Sequence, residues 1–207
     1  MKQFMLVSLS LLAVMFGCSS SDDGTTEDDN LLGGEAAIDD GDANAVAAIS
    51  YSGWKPEVTT TWQWQLLGDV NIEYDVAVYD IDLFDVPQTT IDQLHTVGRK
   101  VMCYFSGGSF EEWRDDAGDF PEVVLGKGLD GWEGERWLDI RSASVRQIMA
   151  ARLDLAVSRQ CDGVEPDNMD GYTNDSGFDM TGAHQLAYNR WLAERGARAR
   201  AVRGPQK

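Results

Sequence analysis

Lys100-Val101-Met102-Cys103-Tyr104-Phe105-Ser106 is an apolar, β-prone run that stops at Gly107-Gly108-Ser109. Just upstream, Ile91-Asp92-Gln93-Leu94-His95-Thr96-Val97 has helical spacing and closes at Gly98, a C-cap signal. Further back, Asp75 to Asp82 is a second short apolar run, ending in acids, and Thr59 to Leu66 alternates in polarity like a strand. Downstream, Arg136-Trp137-Leu138-Asp139-Ile140 follows a Gly- and Trp-rich excursion. Val145 to Gln160 reads as an amphipathic helix, with Ile148, Met149, Leu153 and Ala156 on one face and Arg146, Arg152 and Arg159 mostly off it. Cys161 to Asn168 is strand-like again, and Thr181 to Ala197 reads as a helix. Apolar strands separated by helices imply βαβ units and a parallel sheet.

The polar residues then fall in one place. Asp80, Asp82, Ser106, Asp139, Glu165 and Asp167 stand at or beside the C-terminal ends of the strand runs. In a (β/α)8 barrel that rim carries the active site; a doubly wound sheet would use the same ends. No GxGxxG or P-loop follows any strand, so the barrel is the reading taken. The densest polar stretch is Asp162-Gly163-Val164-Glu165-Pro166-Asp167-Asn168-Met169-Asp170-Gly171-Tyr172. Glu165 and Asp167 are two apart and so share a side of a strand. Paired carboxylates at a barrel mouth suit glycoside hydrolysis, because repulsion raises one pKa and leaves an acid beside a base. Neighbours on one strand are too close to be the acid and its partner, so one of them binds a hydroxyl or tunes the other. The same spacing also suits a structural acid network at a loop.

Charge is uneven along the 207 residues, whose formal net charge is -18. Residues 19–44 hold nine acids and no base, residues 43–189 hold 25 acids against ten bases, and residues 190–207 hold six bases and one acid. An acidic body argues against a nucleic-acid partner, which requires a basic footprint. Met1-Lys2 and the apolar run Phe4 to Phe16 form an export signal too short to span a bilayer. It ends at Gly17-Cys18, which resembles the lipobox of bacterial lipoproteins, with Met15 and Phe16 standing where Leu and a small residue are commoner. On that reading residues 1–18 are a signal peptide, Cys18 is lipidated, and the protein is anchored in the bacterial cell envelope. An ordinary signal peptide that contains a Cys is the alternative. Residues 19–48 read as an acidic disordered tether and residues 49–207 as the folded domain. Cys103 and Cys161 sit in apolar runs where a buried thiol is the commoner outcome; export permits a disulfide without demanding one. There is no CxxC or His/Cys cluster, so no metal and no cofactor are expected.

The runs Trp62 to Leu66, Val78 to Asp82, Cys103 to Ser106, Trp132 to Arg141, Val164 to Asn168 and Gln185 to Ala193 resemble successive blocks of glycoside hydrolase family 114. The resemblance covers about residues 54–195. It implies a TIM-barrel-type α/β fold and an endo-α-1,4-polygalactosaminidase-like activity on a galactosamine-containing exopolysaccharide. It also implies that Asp167 is one catalytic carboxylate. Glu165, Asn168, Asp170, Asp80, Asp82 and Tyr104 match motif positions expected to line the sugar site. The family's second carboxylate, on a later strand, has no counterpart: from Gly196 the chain reads as a basic tail, so about the first five strands of eight are expected. Two readings follow, a hydrolase of this type and a non-catalytic surface carbohydrate-binding remnant.

Other features carry weaker expectations. Asp80-Ile81-Asp82-Leu83-Phe84-Asp85 lacks the spacing and Gly of a calcium loop. Of the seven Trp, most are expected in the core or the barrel wall. His184 lies on a surface helix with no triad partner, and Gly107-Gly108-Ser109 reads as a turn rather than an anion nest.

Overall fold

The computed structural model describes residues 54–203. The expected export signal, Cys18 and the expected tether at residues 19–48 lie outside the described residues.

Four parallel strands build the main sheet: β1 (Trp62–Gln65), β2 (Val78–Asp82), β3 (Lys100–Ser106) and β7 (Gly163–Asp167), in that spatial order. Helix α1 (Gln88–Thr96) links β2 to β3, and its end is set by Gly98 at φ +78, whose N–H donates to the His95 carbonyl. No helix lies between β1 and β2 among the described residues. There the Gln65 amide ties the loop, donating to the Leu67 and Asp69 carbonyls and accepting from Asn71 N–H.

Between β3 and β7 the chain makes a three-stranded antiparallel sheet, β4 (Ser109–Glu111), β5 (Leu125–Leu129) and β6 (Trp132–Leu138), ordered β4-β6-β5. The run expected as a parallel strand around Arg136–Ile140 therefore belongs to β6, and Asp139 stands beside this second sheet. Its carboxylate is held by the Arg141 guanidinium at 2.7 and 2.9 Å, which lowers its pKa. Helix α2 (Ala143–Ser158) starts at Ser142, whose hydroxyl accepts from Ser144 N–H. Helix α3 (Gly182–Arg203) runs through Gly196, past the expected end at Ala197.

Alternation on β2 and β3 sorts the side chains. Tyr79, Ile81, Val101, Cys103 and Phe105 are fully buried in one cluster with Ile91 and Leu94 of α1, Met149 and Leu153 of α2, and Tyr188 of α3. Asp80, Asp82, Met102, Tyr104 and Ser106 take the opposite face, the inner one in a barrel. Two expectations change here. Cys103 and Cys161 form a disulfide with Cα atoms 5.9 Å apart, pinning the start of β7 to β3. Arg152, expected off the apolar face, is 1% exposed. It donates twice to Asp116 at 2.8 Å and once to the Ser106 carbonyl, so an ion pair satisfies it inside the core.

Candidate functional site

At the C-terminal end of the parallel sheet the register aligns Asp82, Tyr104 and Glu165 in one row and Ser106 with Asp167 in the next. Asp80 is one row back, opposite Trp64. Asp80 and Glu165 reach across β3 and hydrogen-bond to each other. Burial and the neighbouring Glu165 charge push Asp80 up to about 8, and burial raises Glu165 as well. Two carboxyls in contact out of water cannot both ionise cheaply, so the pair retains a proton near neutral pH. Glu165 also accepts a hydrogen bond from the Trp64 side chain.

Asp167 is exposed at the tip of β7. Tyr104 Oη donates to its Oδ2 at 3.2 Å and Asn168 N–H donates to its Oδ1 at 2.7 Å, so both oxygens have a fixed direction. Burial, then the Asp167 charge, raises the Tyr104 phenol and keeps it a donor. Asn168 sits at φ +60, a conformation stabilised locally: its Nδ2 donates to Ser106 Oγ at 3.0 Å and Ser109 Oγ at 3.2 Å. Gly107 and Gly108 N–H both donate to the Asp167 carbonyl, so they pin the motif and are not an anion nest. A Cβ on Gly108 would lie 1.8 Å from the Asn168 carbonyl oxygen, which makes glycine obligatory there.

The structure thus gathers Asp80, Tyr104, Glu165, Asp167 and Asn168, and diverts others. Asp82, expected at the sugar site, is 3% exposed and clamped by Arg114 at 3.1 and 2.7 Å, with Phe84 and Asp85 N–H on the same carboxylate. Its oxygens hold the rim together. Asp170 organises a turn through its carbonyl, which accepts from Thr173 and Asn174, and no contact joins its carboxylate to the cluster. Asp162 is structural. Burial pushes its pKa up, but bonds from Lys100, Val101 N–H and His95 outweigh that and lower it. His184 accepts Thr181 N–H at the start of α3.

Two groups escape sequence reasoning. Glu135 on β6 is buried and accepts Ser109 Oγ–H at 2.8 Å; burial raises its pKa against that bond, with Glu111 and Asp167 adding repulsion. Its place in the Trp132 to Arg141 block was the available signal. The tryptophans also differ from expectation: Trp62, Trp64, Trp113 and Trp132 are each more than half exposed, while Trp137 is buried. Trp62 and Trp64 share the inner face with Asp80 on the neighbouring strand.

A parallel sheet with helices packed on one face, carboxyls gathered on the other at the strand ends, and open tryptophans beside them defines a glycoside-hydrolase type of α/β domain. The chain belongs to glycoside-hydrolase family GH114, whose sequence model matches residues 43–206. The crystal structure of Aspergillus fumigatus Ega3 in complex with galactosamine is similar, at 49% identity and a TM-score of 0.70 over 71% of this chain and 59% of that one. The glycoside hydrolase domain of Pseudomonas aeruginosa PelA shares the fold at 12% identity and a TM-score of 0.50, over 69% of this chain and 55% of that one. The chain therefore spans less than two thirds of either structure's length. No curated protein sequence matches it.

Proposed function

We propose that this chain is the sugar-cleaving domain of an exported lipoprotein and acts on a galactosamine-containing exopolysaccharide, with Asp167 as one of the catalytic carboxylates. The observation that carries the reading is Asp167 itself, exposed at the tip of β7 and aimed by Tyr104 and Asn168 beside the buried Asp80–Glu165 pair. A carboxylate so directed suits the cationic character of a glycosyl transition state. The similarity to Ega3, crystallised with galactosamine, supports the substrate class. So does the acidic body, whose field concentrates a cationic polymer. The apolar signal ending at Cys18 supports export and anchoring, and the Cys103–Cys161 disulfide suits an oxidising compartment.

The test is release of oligosaccharides from partially deacetylated polygalactosamine by the wild type and by Asp167→Asn. Release by the wild type and loss in the variant is the expected result. Undiminished release by the variant removes Asp167 from the reaction. Binding by the wild type without release favours the non-catalytic carbohydrate-binding reading. Anchoring is tested by Cys18→Ala, which is expected to move the protein from the membrane fraction to the soluble one.

A further inference from the structure

We propose that Glu135 is a positioning residue for Asp167, acting through the hydroxyls of Ser109 and Ser106 and the side-chain amide of Asn168. This rests on the assignment of Asp167 above and deepens it. The first observation is a chain of hydrogen bonds that can run in one direction. Ser106 and Ser109 are fully buried, with their Oγ atoms 2.5 Å apart. Ser109 has a single hydroxyl proton and gives it to Glu135 Oε2 at 2.8 Å. Ser106 must then donate to Ser109, and its own oxygen accepts the Ser109 N–H at 3.0 Å. Each hydroxyl oxygen has one lone pair left, and Asn168 Nδ2 donates to them at 3.0 and 3.2 Å.

The second observation is what the chain holds. Asn168 sits at φ +60, a backbone conformation uncommon for a residue with a side chain. Its N–H donates to Asp167 Oδ1 at 2.7 Å, so the backbone that the side-chain clamp fixes also sets the direction of that bond. Without the Glu135 acceptor, the Ser109 proton is free to turn toward Asn168 Nδ2, where donor meets donor. The clamp then opens, and the Asp167 carboxylate keeps the Tyr104 hydroxyl as its remaining guide.

The third observation is that an acid is kept here against its surroundings. Glu135 is 7% exposed, stands opposite Glu111 in the sheet register, and is repelled by Glu111 and Asp167. The nearby guanidiniums pair with other acids, Arg114 with Asp82 and Glu111, and Arg152 with Asp116. A buried acid beside two more is costly, and an apolar side chain on β6 would avoid that cost. What an apolar side chain could not do is accept the Ser109 proton, the bond on which the direction of the whole chain depends.

The test combines oligosaccharide release from partially deacetylated polygalactosamine with hydrogen exchange at the Asn168 amide, read by NMR on the full chain. Glu135→Met and, separately, Ser109→Ala break the chain of bonds, and circular dichroism checks that each folds. Both are expected to lose about tenfold to a hundredfold in kcat with KM within about twofold of the wild type. Their Asn168 amide is expected to exchange about tenfold faster. Glu135→Gln keeps an acceptor oxygen for Ser109 and is expected to restore both measurements to the wild-type range. Glu135→Gln behaving as Glu135→Met assigns the effect to charge and overturns the chain. Unchanged exchange in the breaking variants, or faster exchange with kcat undiminished, overturns the positioning role and leaves Asp167 assigned. A wild type that releases nothing overturns the hydrolase reading, and faster exchange in the breaking variants then still upholds the alignment of Asp167 by Glu135.

Discussion

Removing the Cys103–Cys161 disulfide, by replacing both cysteines with alanine, is expected to destabilise the domain by about 4 kcal/mol in the chain-entropy account. The figure follows from the loop: the cysteines are 58 residues apart in sequence, and the loop they close takes in β4 to β6 and α2. A cross-link over that distance removes a large part of the freedom of the unfolded chain. Against a total stability of about 5–15 kcal/mol, the loss decides whether the domain holds together at physiological temperature. The assay is urea unfolding followed by tryptophan fluorescence, on the oxidised wild type, the reduced wild type and the double variant. The midpoint should fall in the last two by a similar amount, and the m-value should rise because the unlinked unfolded state expands. Coincident midpoints for all three samples would refute the closed loop and the stability assigned to it.

Other perturbations follow from single contacts. Asp80 has its pKa raised to about 8 in the folded state from an ordinary value of 3.8, so the stability it contributes is present below the ordinary value and lost as pH rises through the folded one. Wild-type urea midpoints should therefore fall between pH 5 and pH 8, by roughly 2–4 kcal/mol in stability, and Asp80→Asn should flatten that slope; a flat wild-type profile would contradict the shared proton. Gly108→Ala puts a methyl group 1.8 Å from the Asn168 carbonyl oxygen, and should cost about 3 kcal/mol by thermal unfolding while displacing the Asp167 loop. Arg152→Ala leaves Asp116 without its cation and leaves the buried Glu111 with Arg114 alone, with an expected loss of about 3 kcal/mol in the same measurement.

The strands and helices that frame the site are readable because their signals are local. The Gly98 stop, the apolar run of β3 and the periodicity of α2 each lie within a single window of sequence. The β4-β6-β5 sheet is only half readable in that way: β5 and β6 form a local hairpin through Asp130-Gly131, a turn signal that lies within one window, while β4 pairs with β6 across a Gly- and Trp-rich stretch, Ser109 opposite Trp137. Among the acids, position at a strand end brings Glu165, Asp167 and Asp80 to one face, because alternation fixes the face. It cannot separate a carboxylate free of basic partners from one clamped by an arginine, and Asp82 is of the second kind through Arg114, 32 residues away. Arg152 misleads for the same reason, because its partners on β3 and in the Asp116 turn neutralise a charge that helical periodicity assigns to solvent. The disulfide depends on two Cα atoms being 5.9 Å apart, a property of the folded sheet rather than of cysteine spacing.

Within the described residues β7 is an edge of the parallel sheet, paired only with β3. Edge strands open most readily, and the one carrying Glu165 and Asp167 should fray on the timescale of local unfolding. It is fastened at both ends instead, by the Cys161 sulfur at its start and by the Gly107 and Gly108 amides at its tip. Its amide protons should therefore exchange with solvent nearly as slowly as those of β3 while the disulfide is intact, and markedly faster once it is reduced. The rigidity of Glu165 and Asp167 then depends on the thiol–disulfide balance of the protein's surroundings.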